Sequence, residues 1–285
     1  MSKFTKDDII YTSDSEVKRF SHLIKNMVID LISAKQLAYT LMTRDIKAQY
    51  RQSALGIIWA FIPAIATALT FTLASQSRLI NLGTTNIPYP AYIIFSTALW
   101  QTFTEAVLGP INGVTAAKDI LSKIKFPREA LILAKLGEVI FNFGIKLILI
   151  IGVFIWYGLP VNVLTILAPF AVLNLILFGF GIGMLLAPLN VLYSDISKGI
   201  TILLGFGLFL TPVVFPMPEG NGVFAQIVRM NPITYLLLGI RELTLNGNLV
   251  NSFVYTGITV FNIFLLLLSW LFYRLSMPFI VERAS

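Results

Sequence analysis

The chain has 285 residues, of which 56% are hydrophobic and only 12% are charged, and its mean hydropathy is +0.82. Soluble domains carry about 25% charged residues, so this composition argues against a water-soluble fold and indicates a protein embedded in lipid. The absence of cysteine excludes disulfides and cysteine nucleophiles, and with a single histidine, His22, we expect no metal site. The net charge of +7 fits the cytoplasmic loops of a membrane protein, so we expect no nucleic-acid partner.

Residues 1–52 are predicted to form a cytoplasmic segment that ends in an amphipathic helix. Asp30 is expected to cap this helix, which covers residues 31–49. Its apolar face contains Leu31, Ala34, Ala38, Leu41 and Met42. Because the helix leads directly into a spanning segment, we predict that it lies in the membrane interface. The alternative is that its apolar face packs on a soluble partner.

An all-α fold with six transmembrane helices is predicted for residues 53–275, followed by a tail at 276–285. Each spanning helix needs about 20 apolar residues. The candidate segments are 54–74, 91–113, 136–157, 164–189, 200–217 and 253–275. Most lysines and arginines fall before the first segment, after the second and in the tail, whereas the opposite side has only Arg78, Arg229 and Arg241. The positive-inside rule therefore predicts that both termini are cytoplasmic.

Two connections between the predicted spans contain helices of their own. The largest cytoplasmic connection has a short basic helix at about 115–125, which Pro127 ends; it either meets a soluble partner or is a solvated loop. The last outer connection, residues 218–251, has two apolar runs separated by Asn231 and Pro232. Each run is about 12 Å long as a helix and is too short to cross, so two re-entrant helices are predicted.

Two charged residues lie near the middle of predicted spans, Glu105 in the second and Lys146 in the third. Both are about 12–15 Å from the cytoplasmic end of their helix. A charge at this depth costs about 2.5–3.5 kcal/mol on insertion scales, so it usually has a partner or faces water. We expect the two residues to form an ion pair, which either fixes helix packing or lines a channel.

Four stretches of this chain resemble ABC-2 transporter permeases. They are Arg44 to Ser53 with Leu55, Gly56 and Trp59; Phe126-Pro127-Arg128-Glu129; Thr211-Pro212-Val213-Val214-Phe215-Pro216; and Asn231-Pro232-Ile233-Thr234 with Arg241. The resemblance is closest to exporters of polysaccharide and polyol phosphate, which serve O-antigen, capsule and teichoic acid. Ser194-Asp195 departs from the pattern, because many relatives have an arginine before the aspartate.

This resemblance implies a homodimer in the bacterial inner membrane that works with two ABC ATPase subunits. ATP and Mg would bind to those subunits, and this chain would hold no cofactor. The residues implied in ATPase coupling are Lys118, Asp119, Ile120, Lys123, Lys125, Phe126, Arg128 and Glu129. The residues implied in a gate helix and its bend are Arg44, Tyr50, Arg51, Leu55 and Gly56. The chain also lacks the Gly-x-x-x-x-Gly-Lys-[Ser/Thr] loop that holds nucleotide phosphates.

The resemblance predicts a permease, not an enzyme, that exports lipid-linked polysaccharide. Aromatic rings can stack on sugars, and the candidates for lining a channel are Trp59, Phe61, Phe71, Trp100, Phe103, Phe206, Phe209 and Phe215. Aromatic residues are also common at lipid interfaces and in helix contacts. The alternative is an ABC-2 exporter of drugs or single lipids. A membrane glycosyltransferase or acyltransferase is disfavoured, because the outer face offers only Glu219 and Glu242 as acids.

Overall fold

A computed structural model describes residues 20–51, 55–77, 85–118 and 126–284, and all regular structure in these ranges is helical. The α-helices are α1 Phe20–Ser33, α2 Lys35–Arg51, α3 Ile62–Gln76, α4 Tyr89–Ala116, α5 Glu129–Tyr157, α6 Ala168–Leu192, α7 Asp195–Gly207, α8 Val223–Met230, α9 Pro232–Leu245 and α10 Ser252–Ala284. Short 3-10 turns lie at Gly56–Ala60, Val163–Leu167 and Leu208–Leu210. The predicted all-α class is confirmed.

Three helices in the described ranges are long and apolar enough to cross a membrane: α5, Val163–Leu192 and Ser252–Ile280. The pair α8 and α9, bent by 75°, is a fourth candidate if it is one broken span. α4 has 28 residues, about 42 Å at 1.5 Å per residue, but polar side chains along it make it less apolar. The chain is therefore a helical membrane protein, and its division into six spans stays a prediction.

α4 lies at the centre of the bundle, where it contacts α3, α5 and α6. Gly179 and Gly183 of α6 have the spacing that favours close helix contact. Gly179 lies against Phe103, and a Cβ atom at Gly183 would run into the backbone carbonyl of Val107. The two glycines therefore let the backbones of α4 and α6 approach each other closely.

The first predicted span, residues 54–74, is not one continuous helix. A 3-10 turn occupies Gly56–Ala60, and α3 begins only at Ile62. Gly56 has φ of +51°, a left-handed conformation that glycine adopts without steric cost. Pro63 lies in the first turn of α3, where its missing N–H does no harm. α3 is about 22 Å long, shorter than the hydrocarbon core of about 30 Å.

The fifth predicted span, residues 200–217, has different bounds in the structure. α7 begins at Asp195 and ends at Gly207, and the turn Leu208–Leu210 follows. Thr211 is extended, with φ of −133° and ψ of 143°. Pro212 explains this change, because proline disfavours helical backbone in the residue before it. The observed helix therefore begins at Asp195, before the predicted start at residue 200, and ends at Gly207, before the predicted end at residue 217.

The predicted N-terminal cap at Asp30 is wrong. α1 runs from Phe20 through Asp30 to Ser33, and α2 follows from Lys35, so Asp30 lies inside a helix. Its carboxylate instead binds the guanidinium of Arg274 in α10 at 2.7 Å. An ion pair with a distant helix, which local sequence does not reveal, takes the place of the expected cap.

Candidate functional site

The predicted apolar face of the N-terminal helix packs on the first turns of α5. Ala34 and Ala38 are buried against Ala130 and Ala134, and the larger side chains of Leu37, Leu41, Met42 and Leu133 pack around these four alanines. Small residues at a helix contact let two backbones come close. At Ala34 and Ala38 this face is therefore covered by the same chain, and the position of the helix in the membrane interface stays a prediction.

Polar contacts extend this junction along α2. Asp45 binds Arg44 at 2.8 Å and Lys135 of α5 at 3.0 Å, and Lys135 also binds Glu138 at 2.6 Å. Burial alone would raise the pKa of the Asp45 carboxyl, but hydrogen bonds from Arg44 and Lys135 outweigh it and lower this pKa. Asp45 is therefore ionised at neutral pH and holds α2 to α5.

The predicted gate residues do not all take part in this junction. The hydroxyl of Tyr50 donates a hydrogen bond to Asn142 of α5 at 3.1 Å, so it fixes the end of α2. Arg44 and Arg51 are exposed, as is Leu55 beside the left-handed Gly56. The structure therefore brings Tyr50, and Arg44 through Asp45, into polar contacts with α5, and the turn that begins at Gly56 also lies against α5.

Arg274 joins three parts of the chain that lie far apart in sequence. One guanidinium nitrogen binds Asp30 of α1 and another binds Glu129 at the start of α5, both at 2.7 Å. The hydroxyl of the neighbouring Tyr273 donates to the carbonyl of Arg128 at 3.3 Å. Glu129 belongs to the predicted coupling segment, so the structure ties the end of that segment to α1 and α10.

Sequence reasoning missed Arg274 and Asp30 as site residues. Of the predicted coupling residues, Lys118 lies just beyond the end of α4, and Phe126 packs on a cluster that contains Val114 and Met277. The remaining four, Asp119, Ile120, Lys123 and Lys125, lie outside the described residues. A charge within a long apolar helix would have been the signal for Arg274, but such charges are also common where helices reach the membrane surface.

The structure brings Glu105 and Lys146 together between α4 and α5. The Lys146 ammonium lies 2.6 Å from Oε1 of Glu105. The lysine side chain is 2% exposed and the glutamate side chain 37% exposed. The second carboxylate oxygen, Oε2, is buried without a hydrogen-bond partner in the described part of the chain. The pair is thus buried on its lysine side and open on its glutamate side.

Glu105 opens onto a cavity of about 370 Å³ between α3, α4 and α7. We call this cavity the Trp59 groove; its main lining side chains are Trp59, Trp100, Gln101, Thr104, Glu105 and Thr201. The Trp59 ring is 56% exposed, whereas Trp100 is buried and forms the floor under Gly207. Aromatic rings, hydroxyls, an amide and a carboxylate therefore face one open space.

The other predicted lining residues have mixed positions. Phe206 is exposed on α7 and Phe209 is exposed in the turn that follows it, where Phe71 packs on Phe209 with ring centroids 6.4 Å apart. Phe61 is half-buried at the start of α3. Phe103 is 1% exposed and stacks on Phe178 in the core. In this conformation its ring packs between helices and has no exposed surface for contact with a sugar. Phe215 packs on Phe224 at 5.3 Å.

A second polar cluster anchors the broken helix pair α8 and α9 to α4. The buried guanidinium of Arg241 lies 4.7 Å from the ring centre of Tyr92, and it donates to Ser96 at 3.2 Å. The Tyr92 hydroxyl donates to the carbonyl of Phe215 at 2.7 Å. Asn231 caps α9 by accepting a hydrogen bond from the N–H of Ile233 at 3.0 Å. The resemblance motifs that contain Asn231 and Phe215 thus meet at one place.

These features define the class of protein: a helical membrane protein with a buried interhelical ion pair and a broken helix pair. In the ranges that the structure covers, no group of three or more His, Cys, Asp or Glu residues could hold a metal ion. The sequence model of the ABC-2 type transporter family matches residues 36–245. The chain belongs to this family.

Curated relatives of this chain carry the name O-antigen export system permease protein RfbA. The protein from Myxococcus xanthus is 25% identical over 217 residues, which cover 74% of this chain and 81% of that protein. Two proteins from Klebsiella pneumoniae are 22% and 23% identical, over 84% and 79% of this chain and 93% and 91% of their own lengths. The similarity therefore covers most of each chain.

Proposed function

We propose that this chain is the permease subunit of an ATP-driven exporter that moves lipid-linked, O-antigen-like polysaccharide across the bacterial inner membrane. The observation that carries the proposal is the match to three O-antigen export permeases over 74% to 84% of the chain, within the ABC-2 family. The open Trp59 groove also supports it, since its rings and hydroxyls suit a sugar.

Energy for transport would come from a separate ABC ATPase. The sequence has no phosphate-binding loop of the P-loop type, so two ATPase subunits would bind ATP and Mg and press on two copies of this chain. The docking surface would be the segment from Lys118 to Glu129. In this arrangement the chain crosses the membrane six times, both termini are cytoplasmic, and α8 and α9 re-enter from the outer side.

Arg274 would pass the movement of the docking segment to the helices that border the transport path. Glu129 ends that segment and binds Arg274, which also binds Asp30 of α1. α2 follows α1 and is held to α5 through Asp45 and Lys135. A displacement of Glu129 would therefore shift α1, α2 and α10 together.

Gene deletion followed by analysis of surface glycans tests the export function. We expect the surface polymer to disappear and its lipid-linked precursor to accumulate in the membrane, and the gene supplied in trans to reverse both. An unchanged surface polymer would refute the proposal. Loss of drug resistance or of a single lipid, with the polymer intact, would favour an exporter of small molecules.

Crosslinking tests the ATPase partner independently. The chain has no cysteine, so Ile120→Cys or Ser122→Cys introduces a single reactive site in the docking segment. We expect either variant to crosslink to a nucleotide-hydrolysing subunit in membranes. Glu219→Cys, in the predicted outer loop, is the matched control and should give no such product. Crosslinking from Glu219→Cys alone would contradict the proposed orientation.

A further inference from the structure

We propose that the Trp59 groove is a binding subsite for uncharged, hydroxyl-rich sugar units, and that Glu105 makes it reject polymers that carry phosphate or carboxylate groups. This inference rests on the proposed export function and adds the chemistry of the cargo. It distinguishes neutral glycans from polyol phosphates, a choice that family membership leaves open.

The shape and lining of the groove suit a sugar ring. Its volume of about 370 Å³ lies in the range of about 300–1,000 Å³ that is usual for small-molecule sites. Trp59 offers an exposed indole face that can cover the apolar face of a sugar. Gln101, Thr104 and Thr201 supply hydrogen-bonding groups around this ring. An apolar surface with a few polar groups at its edge is what a hydroxyl-rich ring requires.

Glu105 supplies an acceptor that lacks a donor. Its Oε1 is occupied by Lys146, whereas Oε2 is buried with no hydrogen-bond partner among the residues described. An acceptor in this state is unfavourable until something donates to it. A sugar hydroxyl in the groove is a donor of the right kind. Because Oε2 is buried in this conformation, the glutamate side chain, which is 37% exposed, would have to rotate to present this oxygen to the sugar.

The charges around the groove set its selectivity. Glu105 is the one charged residue among the described side chains that line it. Lys146 lies behind the carboxylate, is 2% exposed and does not line the cavity. A phosphate or carboxylate in the groove would therefore lie nearer to the Glu105 carboxylate than to the Lys146 ammonium behind it, and like charges at short distance disfavour binding.

Equilibrium dialysis with the assembled transporter in lipid nanodiscs tests this inference. The probes are a labelled linear mannose hexasaccharide and a glycerol phosphate hexamer of similar length. We expect the neutral probe to bind the wild-type protein about tenfold more tightly than the charged probe. Absence of binding by the neutral probe, or equal binding of both, would overturn the proposal.

Three variants assign the effect to the groove. Trp59→Leu should weaken binding of the neutral probe about tenfold, through loss of the indole face. Trp156→Leu is the matched control, because Trp156 is 84% exposed on α5 and does not line the groove; it should bind like the wild type. Glu105→Gln keeps an acceptor for Lys146 but removes the charge, so the preference against the charged probe should shrink.

Two other outcomes remain informative. If Glu105→Gln fails to assemble, the Trp59→Leu result and the wild-type preference decide the question alone. If Trp59→Cys forms a disulfide between two copies of the chain, the groove is a contact between copies, and the proposal is overturned.

Complementation separates this inference from the export function. If the deletion strain keeps its surface polymer, the export function fails, whatever the nanodisc result. If the wild-type gene restores the polymer and Trp59→Leu restores it equally, with equal amounts of protein in the membrane, export stands and the groove assignment alone fails.

Discussion

Arg274 is a single side chain that neutralises two carboxylates from different helices. Its side chain is 11% exposed, and Asp30 and Glu129 each receive a different nitrogen of the guanidinium group. Arginine suits this position because its planar group presents several donors in fixed directions. A lysine has one charged atom for both carboxylates, so Arg274 is the residue on which the contact between α1, α5 and α10 depends.

Removal of Arg274 should destabilise the protein strongly. In Arg274→Met two largely buried carboxylates lose their counter-ion, and breaking such a pair costs about 3–5 kcal/mol. Arg274→Lys should lose less, since one carboxylate can still be paired. The measurement is thermal unfolding of the purified protein in detergent. Lys198→Met is the control, because Lys198 is 74% exposed and its pair with Asp195 should contribute little.

The pair of Glu105 and Lys146 should behave as a unit. Lys146→Met leaves a carboxylate without its partner, and Glu105→Gln leaves a buried ammonium with a weaker one. The double variant removes both charges, so its loss of stability should be smaller than the sum of the two single losses. Residues in contact show coupling of about 0.5–3 kcal/mol in such cycles. Additive losses, in unfolding and in export, would contradict the pairing.

The depths of Glu105 and Lys146 along their predicted helices were enough to predict that the two residues form an ion pair. Charges in the middle of an apolar run are rare. Because both residues lie at similar distances from the cytoplasmic side, they are at the same depth in the membrane. Arg274 and Asp30 gave no such signal. Asp30 lies in the last turn of α1 and Arg274 inside α10, and their contact depends on how α1 and α10 meet, which neither local sequence contains.

At the scale of helices, the contact of α4 with α6 should be the least tolerant of added volume. Gly183→Ala places a Cβ against the backbone carbonyl of Val107, which cannot turn aside as a side chain can. Overpacking of this kind costs about 1–3 kcal/mol. Gly144→Ala in α5 is the matched control: no atom lies within 4 Å of its new Cβ, and it should be neutral or slightly stabilising. Unfolding in detergent would measure both.

Hydropathy located the helices better than it located their breaks. The break between α8 and α9 was predicted because Asn231 and Pro232 interrupt the apolar run visibly. The turn at Gly56–Ala60 was missed because its residues are as apolar as those of α3. The N-terminal helix was recognised by its periodicity, but the surface that covers it, at Ala130 and Ala134, belongs to the tertiary structure.

At the scale of the whole molecule, the distribution of lysine and arginine predicts that the N-terminal end of α7 faces the cytoplasm. The helix and the turn after it rise about 25 Å, slightly less than the hydrocarbon thickness of about 30 Å. The turn that begins at Thr211 follows directly. If the six-span arrangement holds, Ser194 and Glu219 lie on opposite sides of the membrane, although only 25 positions separate them in the sequence.

Single-cysteine labelling tests this arrangement, because the chain contains no cysteine of its own. A membrane-impermeant maleimide should label Glu219→Cys in intact spheroplasts and Ser194→Cys only after permeabilisation. Both positions are exposed, and the side chain of Ser194 makes no capping hydrogen bond, so neither substitution should disturb the fold. Full labelling of both after permeabilisation is the control for reactivity. Equal labelling of both in intact spheroplasts would mean that α7 enters and leaves on one side, because a short helix without a buried residue can lie in the interface as well as cross it.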